Sequence, residues 1–117
     1  MTVLEDNLTK LGGYLQQFRD GGIPNRIAGQ DQPGSQGVFQ SHSPVDKSVI
    51  CDVAHGDAAD IDAAANVASA AFAEWRDMAP TARRKILIRI AEGIEARAEE
   101  IALCECWDTG QAYRFMS

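Results

Sequence analysis

Apolar residues recur at Leu4, Leu8, Leu11, Leu15 and Phe18, three and four apart, and predict an amphipathic helix over residues 1–20. Gly12-Gly13 interrupts the stripe, and two glycines inside a helix cost about 2 kcal/mol relative to alanine. This helix therefore needs a partner surface. Gly21-Gly22-Ile23-Pro24 ends it. The pattern then shortens, and residues 25–56 read as strands and turns. Arg26-Ile27-Ala28 and Val38-Phe39-Gln40-Ser41 are brief strand candidates. Gln30 to Gly37 is polar and turn-forming, with Pro33-Gly34 suited to the centre of a type II turn. Pro44-Val45-Asp46-Lys47 makes another turn. Ser48 to Val53 is the best strand, because it is β-branched with a short apolar centre.

Beyond residue 56 the period changes to that of a helix. Over residues 57–77, Ile61, Ala64, Ala65, Ala68, Phe72 and Trp75 share one face. Asp57 is the expected N-cap, and Asp60 adds negative charge at the helix start. The alanine-rich face permits close approach to another helix or a sheet. Pro80 interrupts the pattern. Residues 81–106 form a second helix or two abutting helices, with a stripe of Leu87, Ile90, Ile94, Ala98 and Ile101. Ile86 and Ile88 lie off that stripe, so this region calls for more than one partner surface. From Asp108 a new helical element is expected to begin.

The 117 residues suffice for one modest domain with a core. A formal charge of -6 argues against a nucleic-acid footprint, which needs a basic stripe. The one basic cluster, Arg83-Arg84-Lys85, reads as a solvated, partly ion-paired helical turn. No apolar run approaches the roughly 20 residues that span a bilayer. The first residues carry acids where a secretory signal would carry bases. Three cysteines, Cys51, Cys104 and Cys106, suit a reducing compartment. The expected location is cytoplasmic.

Candidate chemistry is sparse. Cys104 and Cys106 stand two apart on a helix, about 200° round the axis, and cannot share one ion. His42 and Cys51 could be read as base and nucleophile, but nothing in the sequence places them together and no oxyanion element accompanies them. Glu99-Glu100 reads as a solvated pair. Asp57, Asp60 and Asp62 lack the spacing and closing Glu of a calcium loop. No Gly-x-Gly-x-x-Gly or Walker loop occurs. By the residues alone, the chain is a soluble α/β piece with no assembled active site.

The order of features adds a family. A strand runs from Phe39 into Ser43-Pro44, followed by Val45-Asp46 and the strand Ser48 to Val53. Next come Gly56-Asp57, Ile61 to Ala64, and Ala71-Phe72-Ala73-Glu74-Trp75. Arg83 to Leu87, Ile90 to Glu95, Glu99 to Ala102 and Asp108-Thr109-Gly110-Gln111 complete the series. Over residues 25–117 this resembles the N-terminal part of the NAD(P)-dependent aldehyde dehydrogenases, most of all the bacterial betaine-aldehyde and muconic-semialdehyde types. The resemblance implies a partial aldehyde dehydrogenase fold of the α/β class. It would be mostly helical, with short N-terminal strands followed by two main helices. Residues 1–24 would form an N-terminal helical arm and 25–117 the incomplete N-terminal part of the dehydrogenase domain.

Family members oxidise an aldehyde to a carboxylic acid with NAD or NADP through a cysteine thioester. The stretches that supply the nucleophile, the glutamate base, the oxyanion asparagine and the cofactor loop do not occur here. No catalytic or cofactor-binding residue is therefore expected, and this chain alone is expected to be inactive. The one site the resemblance carries over is a structural cation site. It falls on Ser41, His42 and Asp108, with Ser43 in place of the usual Asn and Gln111 in place of the usual Lys. The expected partners are the remainder of the dehydrogenase or same-family subunits, not nucleic acid or membrane. The alternative is a non-catalytic helical interaction or complementing module.

Overall fold

In a computed structural model of the chain, the structure describes residues 2–115. Met1, in the expected helix over residues 1–20, and Met116 and Ser117, in the final expected element, lie outside them. The elements run α1 (Val3–Gly21), β1 (Asn25–Ile27), β2 (Gln30–Gln32), β3 (Val38–His42), β4 (Val49–Ala54), α2 (Ala58–Asp77), α3 (Pro80–Glu95) and α4 (Ala98–Thr109). A 3₁₀ turn follows at Tyr113–Phe115. The fold is mixed and mostly helical, as the resemblance implies. The stretch 81–106 resolves into two abutting helices, α3 and α4. No helix among the described residues is long and apolar enough to cross a membrane.

The chain divides into two compact units. The first comprises residues up to Ile23, Phe39–Val53 and everything from Ala96. Its core is Leu11 and Leu15 of α1, Ile50 and Cys51 of β4, and Leu103 of α4. The α1 helix stays continuous through Gly12-Gly13 because Leu11 and Leu15 bury against this surface. Its start is closed by a reciprocal pair: Glu5 N–H donates to Thr2 Oγ1 at 3.3 Å, and Thr2 N–H donates to the Glu5 carboxylate at 2.6 Å. Glu99 is exposed, as read, and Glu100 is half-buried, and from the surface both latch α4 to α1. Lys10 Nζ and Tyr14 OH donate to Glu99 at 2.8 and 3.1 Å, and Gln17 Nε2 donates to Glu100 at 2.9 Å. Both carboxyls are held below their ordinary range, by Lys10 and Tyr14 at Glu99 and chiefly by Arg97 at Glu100.

The second unit comprises Pro24–Val38 and Ala54–Glu95. Here β1 and β2 form an antiparallel hairpin with Ile27 opposite Gln30. The two residues between them, Ala28 and Gly29, have φ of 55° and 74°. Two successive positive φ values are the requirement of the type I′ hairpin turn. Ala28 thus belongs to the turn rather than to the strand, and Gln30–Gln32 is strand rather than turn. The type II turn at Pro33-Gly34 does not form, and positive φ falls instead at Gly37, 84°. His55 causes the shift. It lies against the Gly34 backbone, accepts from Gln36 N–H at 2.9 Å and donates to Gly37 O at 2.8 Å. The turn therefore closes from Gly37 N–H to Gly34 O at 3.0 Å.

The α2 start matches the sequence expectation. Asp57 accepts from Ala59 N–H at 2.9 Å, and Asp60 returns a bond from Asp57 N–H at 3.1 Å. Asp60 also accepts from Ser35 N–H at 3.0 Å. Arg83 is not a free surface charge, because it caps the end of α2. Its guanidinium donates to the carbonyls of Met78 at 2.6 Å and Arg76 at 3.0 Å. Neither α2 nor α3 has a buried residue.

Candidate functional site

The residues carried over from the resemblance all fall in the first unit. Ser41 and His42 end β3. Asp108 lies in the last turn of α4, not at the start of a new element. The physical reason is Gly110, which takes φ 76° and donates to Cys106 O at 2.9 Å, closing α4 in the left-handed manner. Gly110 also packs against Pro44, where a Cβ would stand 3.2 Å from Pro44 Cγ. Thr109 still belongs to the helix, with its hydroxyl donating to Glu105 O at 2.7 Å.

The chain crossing from β3 to β4 is tied to this helix end. Ser43, 1% exposed, donates from Oγ to Trp107 O at 2.6 Å and accepts from Val45 N–H at 3.2 Å. Its own backbone closes the loop: Ser43 N–H donates to Ser48 O, and Lys47 N–H donates to Ser43 O, both at 2.9 Å. With the loop held there, Ser41 Oγ lies 3.4 Å from Asp108 Oδ1. His42 does not join them. Its Nδ1 sits 3.2 Å from Gln40 O on its own strand.

Ser41 and Asp108 offer two oxygen donors, whereas hard cations such as calcium take about six to eight oxygen ligands. No group of three or more His, Cys, Asp and Glu stands together as a metal shell among the described residues. The residues present therefore fit part of an oxygen shell and do not close one. Ser43 is the member of this region whose structural role the sequence does not reveal. Its only signal there is its place in the Ser-Pro turn.

A cavity of about 290 Å³ opens beside Ser41 and Asp108, walled by Leu15, Phe18, Ile50, Cys51 and Cys104. Its two thiols are not poised for nucleophilic work. Burial pushes the Cys51 thiol up, and the charges of Asp108 and Asp52 push it further. Burial likewise raises Cys104, reinforced by Glu100, and Cys106 beside Glu105. Catalytic thiols are lowered by positive surroundings, and here burial and the neighbouring carboxylates outweigh the one cation beside them, Arg97 at Cys104. All three cysteines are free. His42 Nδ1 lies against Gln40 O, and among the described residues no hydrogen bond joins His42 to Cys51.

Among the described residues, the one helix that follows a strand, α2, does not offer a nicotinamide dinucleotide an open start. Its pyrophosphate is ordinarily held at an open helix N-terminus following a strand. Here the amides that open α2 are occupied by the Asp57 and Asp60 carboxylates. Thr2 and Glu5 close α1, and Glu99 and Glu100 put negative charge in the first turn of α4. The starts of α1, α2 and α4 therefore do not fit the cofactor's pyrophosphate.

The sequence matches the aldehyde dehydrogenase family over residues 32–117. An aldehyde dehydrogenase of Vibrio cholerae serotype O1 is 37% identical over 91 residues, which cover 77% of this chain and 18% of the relative. A long-chain-aldehyde dehydrogenase of Acinetobacter has the same identity and coverage. The crystal structure of HpcC from Thermus thermophilus superposes with a TM-score of 0.87 at 32% identity, covering 93% of this chain and 21% of that one. The chain thus spans about a fifth of the length of the relatives it matches. Match, identity and fold agree with the order of motifs from Phe39 to Gln111, and the chain belongs to the aldehyde dehydrogenase family.

Proposed function

We propose that this chain is the N-terminal structural portion of an enzyme that oxidises an aldehyde to a carboxylic acid with NAD or NADP. In this reading it supplies scaffold and not chemistry. The carrying observation is the family match over residues 32–117 in a chain that spans 18% of its relatives. The raised thiols and the carboxylate-closed helix starts support the second half of the reading. Residues 1–24 act as a helical arm, and 25–117 as the first part of the dehydrogenase domain. The finer placement, with the betaine-aldehyde and muconic-semialdehyde enzymes, rests on motif order alone. Three free thiols favour a reducing, cytoplasmic setting.

The partner in this reading is the remainder of a dehydrogenase or a same-family subunit, with nucleic acid disfavoured by the charge of -6. In this reading the cation site carried over on Ser41, His42 and Asp108 takes its first oxygens from Ser41 and Asp108, while His42 follows Ser41 in the chain and turns to Gln40. Further ligands would come from that partner polypeptide. The alternative reading is a non-catalytic helical interaction or complementing module. It is favoured by α2 and α3, neither of which has a buried residue.

The test is a dehydrogenase assay on the purified 117-residue chain with NAD or NADP, followed at the reduced-nicotinamide absorbance. Long-chain, betaine-type and semialdehyde substrates would each be offered. No turnover is expected with any of them. Turnover above a no-protein control would overturn the scaffold reading.

A further inference from the structure

We draw no further inference here: the strongest candidate, the cavity of the first unit walled by Leu15, Phe18, Ile50, Cys51 and Cys104, opens beside Ser41 and Asp108 and so belongs to the site already described, and nothing in the structure shows what fills it.

Discussion

Ser43 Oγ donates to the carbonyl of Trp107 at 2.6 Å, joining residues 64 apart in sequence at a position 1% exposed. One hydroxyl thus serves the β3–β4 loop and the end of α4 together, since it also accepts from Val45 N–H. Replacing Ser43 with Ala leaves a helix-terminal carbonyl and a backbone N–H without this partner. Groups of this kind cost about 1–3 kcal/mol when stranded. Ser43→Ala is expected to lower stability by about 2 kcal/mol. Thr should lose less, because it keeps the hydroxyl. Urea unfolding followed by circular dichroism would measure both, and a Ser43→Ala midpoint equal to that of the parent would refute the anchor.

The core sits in α1, β4 and α4, and substitutions should sort accordingly. Leu15, packed with Leu11, Ile50, Cys51 and Leu103, is nearly inaccessible. Leu15→Ala should cost about 2–5 kcal/mol, the range for a buried leucine. Ile61→Ala, on the uncovered face of α2, should stay within about 0.5 kcal/mol under dilute conditions. Both residues are aliphatic and helical, so burial alone separates them. Similar losses at the two positions in denaturant titrations would show that α2 is covered in solution.

Ala28 offers the opposite sign. It holds φ 55° in the turn between β1 and β2, beside Gly29 at 74°. An alanine in the left-handed region costs about 1 kcal/mol that a glycine does not. Ala28→Gly or Ala28→Asn should therefore stabilise the protein by about 0.5–1 kcal/mol, read as a higher thermal midpoint. A lower midpoint for both would mean that the turn is not type I′ in solution.

The same turn shows what the sequence can and cannot convey. The start of α2 is legible, because Asp57 and Asp60 stand at capping positions directly before a periodic stripe. The α1 helix is legible with its need for a partner, since Leu11 and Leu15 keep the period through two glycines. The β2 strand is not legible. Gln30-Asp31-Gln32 has no apolar residue, and its pairing depends on Ala28 entering a conformation that alanine rarely adopts. Asp108 is misread as the start of an element although Gly110, a common residue just past a helix end, marks the end of α4. The approach of Ser41 to Asp108 is foreseen only through the family resemblance. The Ser43 anchor that brings them together has no local signal, because its partner is a main-chain carbonyl on a distant helix.

The latch between α1 and α4 should make stability fall in acid. Glu99 accepts from Lys10 and Tyr14, and these bonds hold its carboxyl below the ordinary 4.5. A carboxyl lowered in the folded state stabilises the fold above its unfolded value. That contribution is complete above pH 4.5 and is lost as pH falls from there through the folded value. Glu100, lowered chiefly by Arg97, and Asp60, lowered chiefly by Ser35, act in the same direction. The thermal midpoint should thus be flat from about pH 7 to about pH 5 and drop below pH 4.5. In Glu99→Gln the plateau should sit slightly lower and the acid drop should be shallower, because one of the groups that must be protonated is gone. The Glu99 bonds are exposed, so about 1 M salt should reduce the difference between parent and variant. An identical acid drop in parent and Glu99→Gln would assign the acid sensitivity to the other lowered carboxyls and remove Glu99 from the latch.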